Sequence, residues 1–116
     1  MRNYAISLAL LLTVGLLMGQ STGRMSGIVV DPTGASVPNA KISLLIPGGA
    51  SPIVTATTGT QGNYSLSGLQ PVVYDIQVEM SGFRKVILRG VKVDPGVELA
   101  MSPIKLEVSS QAEVVE

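Results

Sequence analysis

Between Val72 and Met80 the chain alternates between apolar and polar side chains. Val72, Tyr74, Ile76, Val78 and Met80 share one parity, and Asp75, Gln77 and Glu79 share the other. A period of two is what a strand shows when one of its faces is buried and the other is wet. Only Val73 departs from it. Slipping the pairing by one residue would bury Asp75 and Glu79 and expose the apolar row, so the register of this strand is strongly specified. The residues before it punctuate. Gly59 and Gly62 flank Thr60-Gln61 as a tight connection, Tyr64 and Leu66 share a face of a short strand, and Gly68-Leu69-Gln70-Pro71 turns the corner. Pro71 has no N–H to give a ladder and ends the short strand.

The remaining segments repeat this grammar. Met25 to Val30 is β-branched and ambiguous in facing, and Asp31-Pro32-Thr33-Gly34 closes it with the residue preferences of a type I turn. Calcium ligation by Asp31 is the sharper alternative, but no second carboxylate lies near it in sequence. Lys41 to Ile46 places Ile42, Leu44 and Ile46 on one face; Pro47 to Pro52 is a loop; threonine-rich Ile53 to Thr58 reads as an edge strand. Ser81-Gly82 is a turn followed by Phe83, a core plug. Arg84 to Val93 carries a bulge at Gly90, and Asp94-Pro95-Gly96 is a turn. Val97, Leu99 and Met101 alternate, and after Pro103 Ile104, Leu106 and Val108 continue on the other parity. This gives about seven strands, with turns roughly every ten residues and no helical period: an all-β antiparallel sandwich of two sheets.

Composition removes whole classes of chemistry. The 116 residues suffice for one small domain and contain no cysteine and no histidine, which excludes disulfides, thiolate nucleophiles, imidazole bases and zinc sites built on either residue. Eight basic and eight acidic side chains balance to zero, leaving no electrostatic footprint for nucleic acid. With three Tyr, one Phe and no Trp, the core must be aliphatic. Residues 1–23 read as a helical signal peptide: Arg2, an apolar run from Ala5 to Met18, then a small-residue exit at Gly19 to Gly23. The apolar run is shorter than the roughly 20 residues that span a bilayer. The domain is placed at 24–108 and a fraying tail at 109–116, with the mature protein exported to the periplasm, the cell envelope or the medium.

The residues of the domain resemble a known family. The run from Gly27 to Leu44, which includes Asp31, Gly34 and Pro38, is similar to the carboxypeptidase regulatory-like domain. So are Gly62-Asn63-Tyr64, Gly68-Leu69-Gln70-Pro71, Tyr74 and Gly82-Phe83. The resemblance implies a transthyretin-like sandwich of the kind found beside metallocarboxypeptidase domains and at the front of TonB-dependent outer-membrane receptors. It makes Gly27, Asp31, Gly34, Pro38, Gly62, Tyr64, Gly68, Leu69, Pro71, Tyr74, Gly82 and Phe83 structural positions, to which the turn residue Gly96 is added. No catalytic or metal residue carries over, because the enzymes' zinc ligands belong to a separate domain.

Asp75 and Glu79 share a strand face but lie roughly 13 Å apart at 3.3 Å per residue, beyond the about 5 to 9.5 Å of glycosidase pairs. They read as a solvated face. Arg84, Lys85, Arg89 and Lys92 read as edge-strand charges that discourage aggregation. An isopeptide at Lys41 is disfavoured, since Lys41 lies opposite Ile42 and Leu44 in parity. The expected function is a non-enzymatic exported module that needs no cofactor and docks to a protein partner or adjacent domain through a sheet edge or end loops. The competing readings are a carbohydrate-binding module of the starch-binding type, with a polysaccharide partner, and the front piece of a TonB-dependent receptor at the outer membrane. In the exporting host, N-terminal sequencing of the mature protein is expected to begin at Thr22 or Arg24; an intact Met1 start would refute the leader.

Overall fold

The computed structural model describes residues 21–109 and 114–115. The leader reading therefore lies mostly outside the described residues. Nine strands and no helix are present among them: β1 (Gly23–Val30), β2 (Lys41–Leu45), β3 (Val54–Thr57), β4 (Asn63–Leu69), β5 (Val73–Glu79), β6 (Lys85–Lys92), β7 (Glu98–Ala100), β8 (Ile104–Lys105) and β9 (Val114–Val115). One sheet runs β4-β1-β7, with β8 also pairing β1; the other runs β3-β2-β5-β6-β9. The two face each other as a sandwich.

Alternation decides the core. Tyr74, Ile76 and Val78 of β5 and Ile42 and Leu44 of β2 meet Met25 and Val29 of β1 and Tyr64 and Leu66 of β4 in one cluster. In β1, ambiguous from sequence, Met25 and Val29 point inward and leave Gly27 between them on the same parity. Gly27 pairs directly with Tyr64 across the β1–β4 ladder, and a Cβ there would stand 2.5 Å from the tyrosine oxygen. The glycine is the space into which the Tyr64 ring fits.

Pairing is antiparallel for β1–β4, β2–β3, β2–β5 and β5–β6, as the sequence predicts. The last strands differ: β7 runs parallel to Arg24–Ser26 and β8 parallel to Val29–Val30. The chain leaves β6 in one sheet, turns through residues 93–97 and enters the other beside the start of β1, so it must run the same way as β1. Pro103 marks the step between β7 and β8, where the parity of inward residues changes. A second difference lies in the tail read as fraying. Val114–Val115 pair in parallel with Lys85–Val86 and add a fifth strand.

Two parts of the alternation reading need correction. Ile46 is 63% exposed and Val72 is 47% exposed, although alternation predicts a buried face for both. Each lies one residue outside its strand, where the backbone has already turned and parity no longer fixes direction. Conversely Asp75, read as a solvated carboxylate, is 5% exposed. Leu45, its partner in the β2–β5 register, is also buried. The Pro47–Pro52 loop reaches back to Asp75 through Gly48, which covers the outer face of the sheet at this end.

Polar groups inside the fold are paired where they fix connections. Thr58 Oγ1 donates to the Val37 carbonyl at 2.7 Å and accepts from the Ala40 N–H at 2.8 Å, binding the 35–40 connection to the end of β3. Gly62 (φ +72°) ends the β3–β4 turn, and a Cβ there would lie 2.5 Å from the Val29 carbonyl oxygen. Gly68 has a similar φ of +66° with open space beside it. Gly62→Ala is therefore expected to cost about 1 to 3 kcal/mol from conformation and clash together, and Gly68→Ala about 1 kcal/mol. Urea denaturation of the two variants checks the order, and equal losses would refute the backbone-clash account.

Candidate functional site

At the end of the sandwich where β2 leaves for β3 and β4 turns into β5, two connections stand side by side. The first carries Ile46 and Ile53 at its ends, and the second, Gln70-Pro71-Val72, leads into Val73. Ile46, Ile53, Val72 and Val73 are 40–63% exposed and rim a groove of about 550 Å³ whose walls include Leu69 and Tyr74. Among the described residues no charged side chain lines it. An exposed aliphatic cluster on a small domain with an aliphatic core is the informative kind of surface, because isolated exposed apolar residues are ordinary and contiguous ones are not.

A buried carboxylate holds the groove's shape. Asp75 Oδ2 accepts from Gly48 N–H at 3.1 Å and from Arg89 Nη1 at 3.2 Å, while Oδ1 accepts from Gly90 N–H at 3.2 Å. One side chain thus ties the loop carrying Ile46 and Ile53 to β5 and to the bulge of β6. Gly90, with φ +70°, sits opposite the irregularity between Tyr74 and Ile76, which turns its N–H toward the carboxylate. The Gly48 hydrogen bond, together with Gly90 and Arg89, outweighs burial and holds the Asp75 carboxyl below its ordinary 3.8. Sequence reasoning missed this role. Its available signal was a Gly-Gly loop and a mid-strand glycine flanking one acidic residue in register.

The other sequence-derived positions fall as follows. Asp31 Oδ1 accepts from Thr33 N–H (2.9 Å), Thr33 Oγ1 (2.6 Å) and Ala35 N–H (3.0 Å), closing its own turn at Gly34. The Thr33 hydroxyl is the main cause of its lowered pKa. Among the described residues no group of three or more carboxylates gathers to hold a metal ion. Val37 is buried and Pro38 exposed in the next turn; Leu69 is buried and Pro71 exposed at the corner. Gly82 and Gly96 occupy turns with positive φ. Phe83 is half-buried against the core and bridges to Val108. Lys85 pairs with Glu79 at 3.1 Å, Arg89 with Asp75, and Lys92 with Asp94 at 3.8 Å, so these bases are matched locally. Tyr64 and Tyr74 are 3% and 4% exposed. Tyr74 donates to the Gln70 carbonyl at 2.9 Å and braces the corner beneath the groove. Among the described residues the Tyr64 hydroxyl has no hydrogen-bond partner, and burial pushes its pKa up to about 12. Neither ring offers a stacking platform for a sugar.

Asp75 generates a pH prediction with a definite sign. Its folded pKa is depressed, so its contribution is complete above the unfolded value of 3.8 and disappears as pH falls through the folded value. Exchange protection of the Gly48 and Gly90 amides is expected to hold at neutral pH and to fall below about pH 4. Asp75→Asn is expected to lower the thermal midpoint at neutral pH and flatten its acid dependence. An unchanged acid limb in the variant would refute the assignment.

Comparison with known proteins places this geometry. The family model for the carboxypeptidase regulatory-like domain matches residues 24–107. No curated protein sequence matches the chain. Among solved structures it resembles a minor pilin of Streptococcus agalactiae (TM-score 0.60, 18% identity, 83% of this chain and 48% of that one). It also resembles a putative carbohydrate binding protein from Bacteroides uniformis (0.59, 17% identity, 75% and 42%). A third likeness is to a type II cohesin–X-dockerin complex from Acetivibrio cellulolyticus (0.62, 12% identity, 77% and 60%). The chain spans less than two thirds of each of these structures, and at such identities the likeness is one of fold. With the family match covering nearly all of the described sandwich, the chain belongs to the carboxypeptidase regulatory-like domain family, a family of non-catalytic β-sandwich modules.

Proposed function

We propose that this chain is an exported, non-enzymatic docking module whose end groove seats an aliphatic protein surface carried by a tethered neighbour. The observation that carries the reading is the exposed set Ile46, Ile53, Val72 and Val73 around one uncharged groove. Four partly exposed aliphatic side chains offer at most a few hundred Å² of apolar surface. A stable free complex buries about 800 Å² per partner. A surface this small holds a partner that covalent linkage or a shared assembly keeps at high effective concentration. A neighbouring domain of the same polypeptide fits that requirement, including the plug of a receptor for which this module would be the front piece.

Carbohydrate recognition is the second reading. The likeness to a putative carbohydrate binding protein favours it, and the burial of both described tyrosines weighs against it. The test is site-specific photocrosslinking in the exporting host from position 53 or 72, with exposed Ser65 as control. A discrete adduct from the groove positions, mapped to an aliphatic protein surface and lost in Val72→Asp/Val73→Asp with an unchanged thermal midpoint, is expected. Equal adducts from Ser65, saturable polysaccharide binding by the purified domain, or turnover of peptides or glycosides would overturn it.

A further inference from the structure

The eight basic and eight acidic side chains all lie outside residues 42–74. That stretch holds β3 and β4, which touch each other on one long side of the sandwich. Among the described residues β4 pairs with β1 alone. Edge strands are ordinarily guarded against pairing with other chains by charge, proline or a bulge. From Asn63 to Leu66 the β4 ladder is regular, and its register shifts only beyond Leu66, near Gly68. The outward groups of this regular part can be read from its neighbour. Arg24 N–H donates to the Val97 carbonyl, and the Ser26 carbonyl accepts from Met101 N–H, so both residues turn their backbone toward the β7 side of β1. Ser65 stands opposite Ser26 in the ladder and therefore turns its own N–H and C=O away from β1.

The same edge carries a signal that strand periodicity does not explain. Asn63-Tyr64-Ser65 has the Asn-x-Ser/Thr pattern of an N-glycan acceptor, with x other than proline. Extended backbone puts Asn63 and Ser65 on one face and Tyr64 on the other. Both polar residues are exposed, and Tyr64 is buried in the core. Gly59 leaves room for the acceptor amide, because a Cβ there would stand 2.8 Å from Asn63 Oδ1. We propose that Asn63 accepts an N-linked glycan from a polyprenyl-diphosphate-linked oligosaccharide, and that this glycan shields the uncharged β4 edge from other chains. In the transfer Asn63 Nδ2 bonds to the anomeric carbon of the sugar, the bond from that carbon to the diphosphate oxygen breaks, and the amide proton passes to a base of the transferase. A bulky, solubilising group then guards this edge as a lysine guards others. Asn63 begins β4, whereas the end groove starts beyond its far end, at Gly68 to Tyr74, so the glycan and a docked partner occupy different ends. The proposal rests on the export reading, since the pattern marks an acceptor in a secreted chain.

The test is the intact mass of the mature protein from the exporting host, before and after treatment with a peptide N-glycosidase. An added glycan mass that the enzyme removes is expected. Asn63→Gln and Ser65→Ala are expected to lack it, and Ser65→Thr is expected to keep it. In sedimentation, both glycan-free variants are expected to associate as concentration rises, with an unchanged thermal midpoint. Asn63→Lys, which places a charge on the edge without a glycan, is expected to stay monomeric. An unmodified chain whose leader has been removed overturns the acceptor assignment and leaves export standing; an unmodified chain with Met1 in place overturns both. A glycan retained in Asn63→Gln overturns the site, and glycan-free variants that remain monomeric at every concentration overturn the shielding role.

Discussion

The two sheets are held face to face by aliphatic interdigitation. Ile42, Leu44, Ile76 and Val78 on one inner face and Met25, Val29 and Leu66 on the other are buried to 3% exposure or less. Each such side chain contributes on the order of 1.5 to 3 kcal/mol on burial. With no cysteine in the sequence, no disulfide can substitute for that contact. Everything else, from the turns to the end groove, is positioned by two sheets that pack only when every strand keeps its parity. Gly27 is part of the same constraint, because the Tyr64 ring fits only where β1 presents no side chain.

Around that core, a few polar groups decide how the connections lie. Thr58 anchors the 35–40 connection, and Asp75 ties the Pro47–Pro52 loop to the β6 bulge. Charge-assisted hydrogen bonds to backbone N–H groups are among the stronger polar contacts a small domain can make. They matter here because the loop they fix carries two of the four aliphatic residues that rim the groove. A carboxylate on the outer face of one sheet thereby shapes a surface at the end of the sandwich.

Membership of a sandwich family says little about activity by itself, since function lives in sites grafted on folds. In this chain the surface with distinctive character among the described residues is an aliphatic groove at one end, with no charged side chain in its described lining. Three of the four bases of the 84–92 segment, read from sequence as edge-strand charges, are matched locally. Lys85, Arg89 and Lys92 each meet a carboxylate, an arrangement that depends on register and bulge as much as on composition.

Strand existence, the inward row of β5, the bulge at Gly90 and the family were legible from the chain alone. They depend on local periodicity and on backbone preferences of glycine and proline, which act over a few residues. The burial of Asp75, the exposure of Ile46 and Val72, the parallel entry of β7 and β8 beside β1 and the capture of Val114–Val115 by β6 were not. Each depends on which segment from elsewhere arrives over a given face or edge, and parity cannot report that. Asp75 and Glu79 show the difference most directly. They sit on the same parity of the same strand, yet one lies beneath a loop and accepts three hydrogen bonds while the other pairs with Lys85 at the surface. Local spacing set the direction of both side chains, and only the tertiary fold decided what each would meet there.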